Sequence, residues 1–580
     1  MKHPAPIAIC LLILAVAATL RLSWLTADPP TQPAIGIVWH DEGAWVHNAR
    51  NRVLWGEWRT DAWNPVFIAP VFTALEYAAF STFGVGTWQA RTVPVVSGLA
   101  AIVLLAAGLG AIGGRLAALI GGALLSANYV FVMWNRAALM ESTMTAFIVA
   151  SWAAYAMAER RPRLGLFAGI AVVLAWFTKA AAAFFLGALL LDAIWTLAVW
   201  RVHPLRRLLR IDAPSSANVR AAMWTLGGIV VAAGVILAVF VLPHWSEYQF
   251  YNWQMTVTRK PSYTIKALMD RASWLPIVHD YFTRMWLVVF LAALAIITIV
   301  LRWRTARPAE RVLVLWVVLG LSELVVHDAG NERRYVMFIP AFIALAALTL
   351  GRSGPAAPRA TEPAAASRWT VMPFVFVFAY LIVGSLLRLT QLGEVGRAVR
   401  LSAAVATIVS VVLLWRWRSV SDWLSRQQLT AGGALILTAM LVSGDLIQYW
   451  QWVRTRTFEN YQASLMLGEH LAPGTLVHGK LANGLSLENR IRPIFVGRGF
   501  GNYEDRATRD DVRYILTYVA PRVGYEGSVI LDVLDAYPNR SIIMTFDVAE
   551  TATGHDRAAL IDKFGATAST NPQTTGRATH

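Results

Sequence analysis

The sequence predicts an α-helical polytopic membrane protein with about 13 transmembrane helices and a small C-terminal extracytoplasmic α/β domain. Of its 580 residues, 57% are hydrophobic and only 15% are charged. The apolar residues gather into blocks of about twenty, the length that crosses a bilayer core, and short basic loops separate the blocks. After Trp452 the composition changes to short β-branched runs between polar turns, which is typical of a soluble domain.

Thirteen segments are apolar enough to cross a membrane. The first has too long an apolar run for a typical signal peptide, so we interpret it as an uncleaved span. The segments are 5–27, 92–112, 116–134, 141–158, 164–178, 180–200, 221–243, 285–301, 311–327, 335–351, 371–389, 399–415 and 429–449.

The segment 65–84 decides the topology, because a crossing there would exchange every later loop between the two faces. It contains Glu76 and two prolines. If it does not cross, the basic loops such as 201–210 and 302–311 fall on one face, which the positive-inside rule makes cytoplasmic. We therefore predict a multi-pass plasma-membrane protein with a cytoplasmic N-terminus, and residues 66–83 as a juxtamembrane helix on the outer surface.

This topology divides the chain into a transmembrane domain, 1–451, and a soluble extracytoplasmic α/β domain, 452–565. Two long outer loops are predicted, 28–91 with its juxtamembrane helices and 244–284. The last residues, 566–580, have a composition typical of disorder. The predicted strands are "TLVHG" (475–479), "PIFVG" (493–497), "YILTYV" (514–519), "SVILDVL" (528–534) and "SIIMTF" (541–546).

The net charge of +16 does not indicate a nucleic-acid partner, because much of the Lys and Arg lies in the loops between apolar blocks. The single cysteine, Cys10, lies within the first span. A disulfide framework and a cysteine-based metal site are therefore excluded.

Candidate catalytic acids fall on the predicted outer face. "IGIVWHDEGAWVHNARNRVLWGEW" (35–58) contains Asp41 and Glu42, and "WNRAALMEST" (134–143) contains Glu141. Carboxylates that converge in this way can serve as a general base and as partners of a metal ion or a transition state. The alternative is that they are solvated loop residues.

Candidate cationic groups lie on the same face. Lys179 in "LAWFTKAAAAFF" (174–185) stands between two apolar blocks, where an ammonium needs an anionic partner. Arg333, Arg334 and Tyr335 begin a span, and a forked guanidinium there can hold a phosphate. The alternatives are a snorkelling lysine and interfacial anchoring. Pairing between helices explains Asp192, Glu323 and Asp445 as well as function does, so they receive no role.

Together these segments resemble the polytopic C-type (GT-C) glycosyltransferases, especially the branch with the lipid A aminoarabinose transferases and the protein O-mannosyltransferases. The resemblance covers residues 1 to about 350. It is carried by "DE" (41–42), the helix after Pro65, Arg91, "NRAALMEST" (135–143), "LAWFTK" (174–179) and "ERRYVMFIP" (332–340).

The resemblance implies an inverting transfer of a hexose or pentose from a polyprenyl-phosphate donor to an acceptor at the outer membrane surface. Asp41 would be the base, and Glu141 would help to hold a divalent metal ion or orient substrate, with Asp41 as a tentative second metal ligand. Lys179 with Arg333 or Arg334 would face the carrier phosphate.

Two positions depart from the family pattern. Glu141 stands where many relatives have Asp, which puts tight metal coordination in doubt. Asn64, a candidate substrate contact by position, stands where the aminoarabinose transferases have a Lys before the proline. The phosphate contact expected from that Lys is missing, which argues against lipid A as the acceptor.

Two other classes of protein remain open. A transporter or flippase of lipid-linked sugars would use the intramembrane charges as a path, but the inverted repeats that such proteins tend to show are not found in this sequence. A membrane scaffold would use the C-terminal domain to recruit partners.

Overall fold

The computed structural model describes residues 5–30, 37–204, 206, 212–258, 265–277, 285–327, 332–351, 372, 376, 379–380, 395–416, 431–497, 499–519, 533–551 and 554–565. The predicted tail, most of the predicted span 371–389 and most of the predicted strand 528–534 lie outside these residues.

Helices dominate the chain as far as residue 455. The first ten are α1 (Ala5–Leu22), α2 (Asp41–Trp45), α3 (His47–Trp55), α4 (Pro70–Phe83), α5 (Thr87–Ile112), α6 (Gly114–Ala127), α7 (Tyr129–Trp134), α8 (Met140–Ala158), α9 (Leu164–Thr178) and α10 (Ala183–Arg201). They are followed by α11 (Ser216–Ile236), α12 (Trp245–Trp253), α13 (Arg271–Pro276), α14 (Trp286–Leu301), α15 (Pro308–His327), α16 (Ile339–Gly351), α17 (Val395–Trp415) and α18 (Ala431–Thr455).

Each predicted span that falls on described residues is helical. Among the described residues, four helical stretches are long and apolar enough to cross a membrane by themselves: Thr87–Ile112, Ala180–Arg201, Ser216–Val241 and Ala431–His470. Several other apolar helices are shorter, so the count of thirteen spans stays a prediction. The predicted span 116–134 is broken at Asn128, whose side chain accepts a hydrogen bond from the backbone N–H of Phe131 and begins α7.

Helix α4 belongs to the segment that decides the predicted topology. Pro70 is tolerated in its first turn because it has no N–H to leave unsatisfied, and Gly84 ends the helix with a φ of 81°. Its 14 residues extend over about 21 Å, which is less than the roughly 30 Å of a bilayer core. α4 contacts α3, α5 and α9. This length agrees with a helix that does not cross, and its place on the outer surface stays a prediction.

Close helix packing holds the centre of the bundle together. α8 contacts both α5 and α9, and α9 contacts α11. A Cβ on Gly169 of α9 would lie 2.2 Å from the carbonyl oxygen of Thr225 on α11, so a glycine is required at that crossing. Trp134, Trp152 and Trp316 are fully buried in the bundle core.

Beyond α18, two helices, α19 (Glu459–His470) and α20 (Lys480–Gly484), accompany a five-stranded sheet. The strands are β1 (Leu476–His478), β2 (Arg492–Ile494), β3 (Tyr514–Tyr518), β4 (Ser541–Thr551) and β5 (Gly554–Asp562), in the order β2-β1-β3-β5-β4. β1 pairs in parallel with β2 and β3, whereas β5 pairs antiparallel with β3 and β4.

The C-terminal domain is attached to the segment that follows α1. The carboxylate of Asp28 accepts hydrogen bonds from the Thr457 hydroxyl at 2.7 Å and from the backbone N–H groups of Glu459 at 2.7 Å and Asn460 at 3.2 Å. These bonds satisfy donors at the start of α19, which would otherwise lack partners. The soluble domain is therefore anchored beside the loop that carries Asp41.

Candidate functional site

Asp41 and Glu42 lie in the first turn of the short helix α2, and they are 6% and 4% exposed. They are therefore not solvated loop residues. Nε2 of His40 lies 3.9 Å from Oδ1 of Asp41. The His40 ring packs edge-on against Trp39, with ring centroids 5.4 Å apart.

Glu42 joins three segments of the chain. Nε and a terminal nitrogen of Arg91 donate to its two oxygens at 2.8 and 2.6 Å, and the backbone N–H of Ala138 donates to Oε1 at 2.7 Å. Arg91 also donates to the carbonyl oxygens of Leu25 and Ala27. Glu42 thus connects α2 to α5 and to the segment that leads into α8. This geometry makes it a positioning residue for its neighbour Asp41, and its predicted catalytic role stays a prediction.

The structure brings Glu141 and Lys179 together. Glu141 lies in the first turn of α8, and Lys179 lies where α9 ends and the backbone becomes extended. Lys179 Nζ is 2.5 Å from Glu141 Oε1, and the two side chains are 21% and 3% exposed. Glu141 is therefore the anionic partner that we expect from the sequence for the Lys179 ammonium. The second carboxylate oxygen, Oε2 of Glu141, is buried without a hydrogen-bond partner among the described residues.

The two acidic positions share a backbone segment. Ala138, which donates to Glu42, lies three residues before Glu141 in the extended turn that precedes α8. The four candidate residues therefore lie at one end of the helical bundle: Asp41, Glu42, Glu141 and Lys179. The sequence predicts that they share one face because segment 65–84 does not cross the membrane.

Residues 333–335 lie in a 3₁₀ helix, Glu332–Phe338, that contacts α8. Tyr335 is 2% exposed. The side chains of Arg333 and Arg334 lie outside the described part of the chain, so their predicted contact with a carrier phosphate stays a prediction.

Asn64 is buried in a hydrogen-bond network between the two predicted outer loops. Its Oδ1 accepts from the amide of Asn48 at 3.0 Å, and its Nδ2 donates to the hydroxyl of Tyr251 at 2.8 Å. The Tyr251 hydroxyl donates in turn to the carbonyl oxygen of Ala62 at 2.6 Å. In this structure the Asn64 amide holds the two loops together.

Asp41 and Glu141 offer carboxylate oxygens to the predicted metal ion, and Glu141 Oε2 is a buried acceptor that such an ion would satisfy. Within the residues that the structure describes, no group of three or more His, Cys, Asp and Glu side chains is arranged to hold a metal ion. A divalent ion held by one or two carboxylates completes its shell with water and substrate phosphate oxygens, as Mg²⁺ commonly does. The metal ion stays a prediction.

A buried network that sequence reasoning missed connects the start of α3 to the C-terminal domain. His47 Nε2 lies 3.0 Å from Asp61 Oδ1, and the two side chains are 0% and 1% exposed. Asp61 Oδ2 accepts from the backbone N–H of Phe495 at 2.9 Å and from the amide of Asn502 at 3.1 Å. Asn483 lies 3.1 Å from the other ring nitrogen of His47. No local motif signals this network, since its members come from distant segments.

Two glycines allow α2 and α20 to touch. A Cβ on Gly43 would lie 1.7 Å from the carbonyl oxygen of Asn483, and a Cβ on Gly484 would lie 2.7 Å from Cα of His40. The start of α2 therefore contacts the C-terminal domain directly. The two points of contact, His40 and Gly43, lie on either side of Asp41 in the sequence. The pair of glycines is the one sequence signal for this contact.

Two of the intramembrane acids, Asp192 and Asp445, have local partners. Asp192 accepts from Arg311 at 2.6 Å and from the Tyr155 hydroxyl at 2.7 Å. Asp445 accepts from the backbone N–H of Tyr129 at 3.0 Å. Pairing within the bundle accounts for both without a transport path.

One family model matches part of this sequence, and solved structures share its fold. Residues 68–256, which include Glu141 and Lys179, match the model of the dolichyl-phosphate-mannose-protein mannosyltransferase family. The crystal structure of ArnT from Cupriavidus metallidurans bound to undecaprenyl phosphate is 16% identical and has a TM-score of 0.53. The alignment covers 98% of this chain and 99% of that chain.

The chain has an ArnT-like fold. The apo structure of the same ArnT agrees, with 16% identity, a TM-score of 0.54 and coverage of 96% of this chain and 97% of that chain. These findings confirm the resemblance to the polytopic C-type glycosyltransferases and indicate a multi-pass membrane protein.

A more distant similarity extends to the archaeal oligosaccharyltransferase AglB from Archaeoglobus fulgidus, in complex with an inhibitory peptide and a dolichol-phosphate. It is 12% identical, covers 96% of this chain and 74% of that chain, and has a TM-score of 0.43. No curated protein matches this chain significantly in sequence.

Proposed function

We propose that this protein is an inverting membrane glycosyltransferase that moves a hexose or pentose from a polyprenyl phosphate to an acceptor at the outer face of the plasma membrane. The observation that carries the proposal is the gathering of Asp41, Glu141 and Lys179 at one end of a bundle with an ArnT-like fold. ArnT has been crystallised with undecaprenyl phosphate, which is a carrier of the proposed class.

Asp41 is the proposed base. Its carboxylate takes the proton from an acceptor hydroxyl as the acceptor oxygen bonds to the anomeric carbon. The bond from that carbon to the phosphate oxygen breaks, and its electron pair leaves with the carrier phosphate. Attack from the face opposite the phosphate inverts the anomeric carbon. The bonds that hold α2 hold Asp41 in the orientation for this attack.

Lys179 is the proposed partner of the leaving phosphate, together with Arg333 or Arg334. A cation near the interface stabilises the negative charge that builds on the phosphate oxygen. The Glu141 carboxylate holds the Lys179 ammonium at the break between α9 and α10, so Glu141 acts on the donor through that lysine. The ion pair accounts for Oε1 of Glu141, and the unpaired Oε2 is the oxygen that the predicted metal ion or a substrate hydroxyl would satisfy.

The test is the Asp41→Asn variant, reconstituted with a radiolabelled polyprenyl-phosphate sugar. Because loss of a general base typically costs about 10² to 10⁴ in rate, release of free polyprenyl phosphate should fall by that factor, with unchanged thermal unfolding. Asp547→Asn, an exposed site in the C-terminal domain, is the matched control and should retain full activity.

Near-wild-type product formation by Asp41→Asn would exclude Asp41 as the base. The same assay distinguishes a transferase from the alternative class of protein. A transporter or flippase would move the intact lipid-linked sugar between leaflets without releasing polyprenyl phosphate.

A further inference from the structure

A cavity of about 310 Å³ lies at the end of the bundle remote from the candidate transferase site. Helix α8 has Glu141 in its first turn and Glu159 directly after its last residue, and Glu159 lines this cavity. The 19 residues of α8 extend over about 28 Å, close to the thickness of a bilayer core. The cavity therefore lies at the opposite membrane interface, which the predicted topology makes cytoplasmic.

Aromatic residues place the cavity at the depth of lipid headgroups. Trp195 of α10 lines it. One and a half turns further along the same helix, Trp200 is 39% exposed, with the Arg201 guanidinium 5.0 Å from its ring centroid. Tryptophan at a helix end is typical of the membrane–water interface.

One part of the cavity wall is suited to a phosphate. Arg304 and Arg307 line it, and Arg304 is exposed and makes no hydrogen bond or ion pair with any described residue. Arg307 is fixed in place because it donates to the carbonyl oxygens of Ala111 and Ile112 at the end of α5. Basic pockets between membrane helices on the cytoplasmic side are suited to phospholipid headgroups.

The lining also contains two acids, and the charge of Arg307 acts on one of them, Glu159. Glu159 and Asp212 line the same cavity. Oε1 of Glu159 is buried without a hydrogen-bond partner among the described residues, and Asp212 is exposed. A buried acceptor without a donor is costly, and a primary ammonium supplies three donors and a compensating charge.

A third arginine of the lining, Arg311, adds no surplus charge to the cavity. It is 7% exposed. Its guanidinium donates to Asp192 at 2.6 Å and to the Thr196 hydroxyl at 3.2 Å. Because Arg311 is already paired, the other two arginines and the two acids of the lining are the charged groups that would select a ligand.

We propose that this cavity binds the zwitterionic headgroup of an aminophospholipid, with its phosphate at Arg304 and Arg307 and its primary ammonium at Glu159 and Asp212. A purely anionic headgroup would leave Oε1 of Glu159 without a donor and would face two carboxylates. A quaternary ammonium carries the charge but has no N–H to donate. The site is independent of the proposed transferase reaction, because it lies at the other end of α8.

The experiment is a titration of the full-length protein in detergent with phosphatidylethanolamine, phosphatidylcholine and phosphatidylglycerol of identical acyl chains, followed by native mass spectrometry. The wild type should retain phosphatidylethanolamine best. Because glutamine has no negative charge to pair with the ammonium, Glu159→Gln should weaken its binding by about tenfold or more and remove the preference over phosphatidylcholine.

Companion variants make the result independent of one substitution. Asp212→Asn, at an exposed position, should lower the same preference. Arg304→Gln should weaken the binding of all three lipids. Arg201→Gln, at the same helix end but outside the cavity lining, should change none of them.

Three outcomes would overturn the proposal. Equal binding of phosphatidylethanolamine and phosphatidylcholine by the wild type would show that the cavity does not bind the primary ammonium through hydrogen bonds. Stronger binding of phosphatidylglycerol would make the cavity an anionic-lipid site. Displacement of bound lipid by free phosphoethanolamine at equal concentration would make it a site for a soluble headgroup compound.

Discussion

Two Arg–Glu ion pairs near the candidate site differ in burial and in the number of their hydrogen bonds, which are two for Arg91–Glu42 and one for Arg59–Glu247. The Arg91 and Glu42 side chains are 4% and 5% exposed, whereas those of Arg59 and Glu247 are 46% and 31% exposed. An exposed pair gains little because water screens the charges and the side chains lose entropy. A buried charge that loses its partner is left without compensation. The first pair should therefore control the stability of the region around α2, and the second should not.

Replacing Arg91 by lysine tests this difference. Arg91→Lys loses the forked contact with Glu42 and the bonds to Leu25 and Ala27. We expect a destabilisation of roughly 2 to 3 kcal/mol, seen as a lower midpoint of thermal unfolding, and a loss of transfer as α2 shifts. Arg59→Lys is the control and should cost less than about 1 kcal/mol. Equal effects of the two changes would contradict the assignment.

Glu76 of α4 is another buried ionisable residue, and neither of its oxygens has a hydrogen-bond partner among the described residues. Burial, with a smaller contribution from the nearby Glu42 carboxylate, raises the pKa of Glu76 well above its usual range. The folded protein thus keeps a proton that the unfolded chain releases. Stability from this group is fully present below the unfolded pKa and is lost as the pH rises through the folded pKa.

Glu76→Gln should therefore unfold at a higher temperature than the wild type at neutral and alkaline pH, and the difference should shrink towards pH 4. Thermal unfolding of both proteins across this pH range measures it. A pH-independent difference would show that Glu76 does not titrate between the folded and unfolded states in this window.

At the residue scale, sequence reasoning found the candidate groups but not all of their partners. Lys179 was recognisable because an isolated charge among apolar residues needs an anion, and counting spans placed Glu141 on the same face. Asp61 and His47 gave no such signal, because their meaning depends on contacts with residues 483–502. Contacts between distant segments are fixed by tertiary packing, which a local pattern does not encode.

At the scale of elements, the short helix α2 is held on two sides. Glu42 fastens it to α5 through Arg91, and Gly43 rests against the carbonyl oxygen of Asn483 in α20. A five-residue helix has little stability of its own. Its position, and with it the position of Asp41, depends on these two contacts.

Gly43→Ala should disturb this arrangement, because the added Cβ would lie 1.7 Å from a backbone oxygen that has no easy way to move. We expect transfer to fall strongly, with kcat affected more than the apparent affinity for donor. Gly234→Ala in α11 is the control, since a Cβ there meets nothing within 4 Å. It should leave activity unchanged and stabilise the helix by about 0.5 to 1 kcal/mol. Full activity of Gly43→Ala would show that α2 tolerates displacement.

The helices were predictable because apolar blocks of bilayer length encode them directly. The strands β1 to β4 overlap predicted runs, but β5 was missed since "GHDRAALID" places three charged residues and a histidine among its nine residues. Its pairing with β3 and β4 fixes it as a strand despite this composition. The break at Asn128 was missed because one capping residue interrupts an otherwise continuous apolar run.

At the scale of the whole molecule, the C-terminal domain forms part of the support of the candidate site. Arg50 of α3 is fully buried and donates to the carbonyl oxygens of Ser486, Asn489 and Ile491. Burial lowers the pKa of its guanidinium to about 9, which leaves it charged at neutral pH. A charge in this position requires the carbonyl groups that the soluble domain supplies.

A shortened protein that lacks residues 457–580 should therefore lose transfer activity and unfold at a lower temperature, since Arg50 and α2 lose their contacts. Deletion of 566–580 alone is the control and should leave activity unchanged. The assay is release of polyprenyl phosphate from the labelled donor. Wild-type activity of the shortened protein would show that the helical bundle holds Asp41 without help.

The hydrogen bonds between Asp28 and the start of α19 join segments that are synthesised at different times. The partners of Asp28 are Thr457, Glu459 and Asn460, more than 400 residues further along the chain. Because a chain emerges from the ribosome with its N-terminus first, Asp28 and α2 reach the membrane long before the domain that holds them. A chain that has not yet reached residue 457 would therefore lack this support of the segment before Asp41, so the proposed transferase would become active only after its C-terminal domain has been made and has docked.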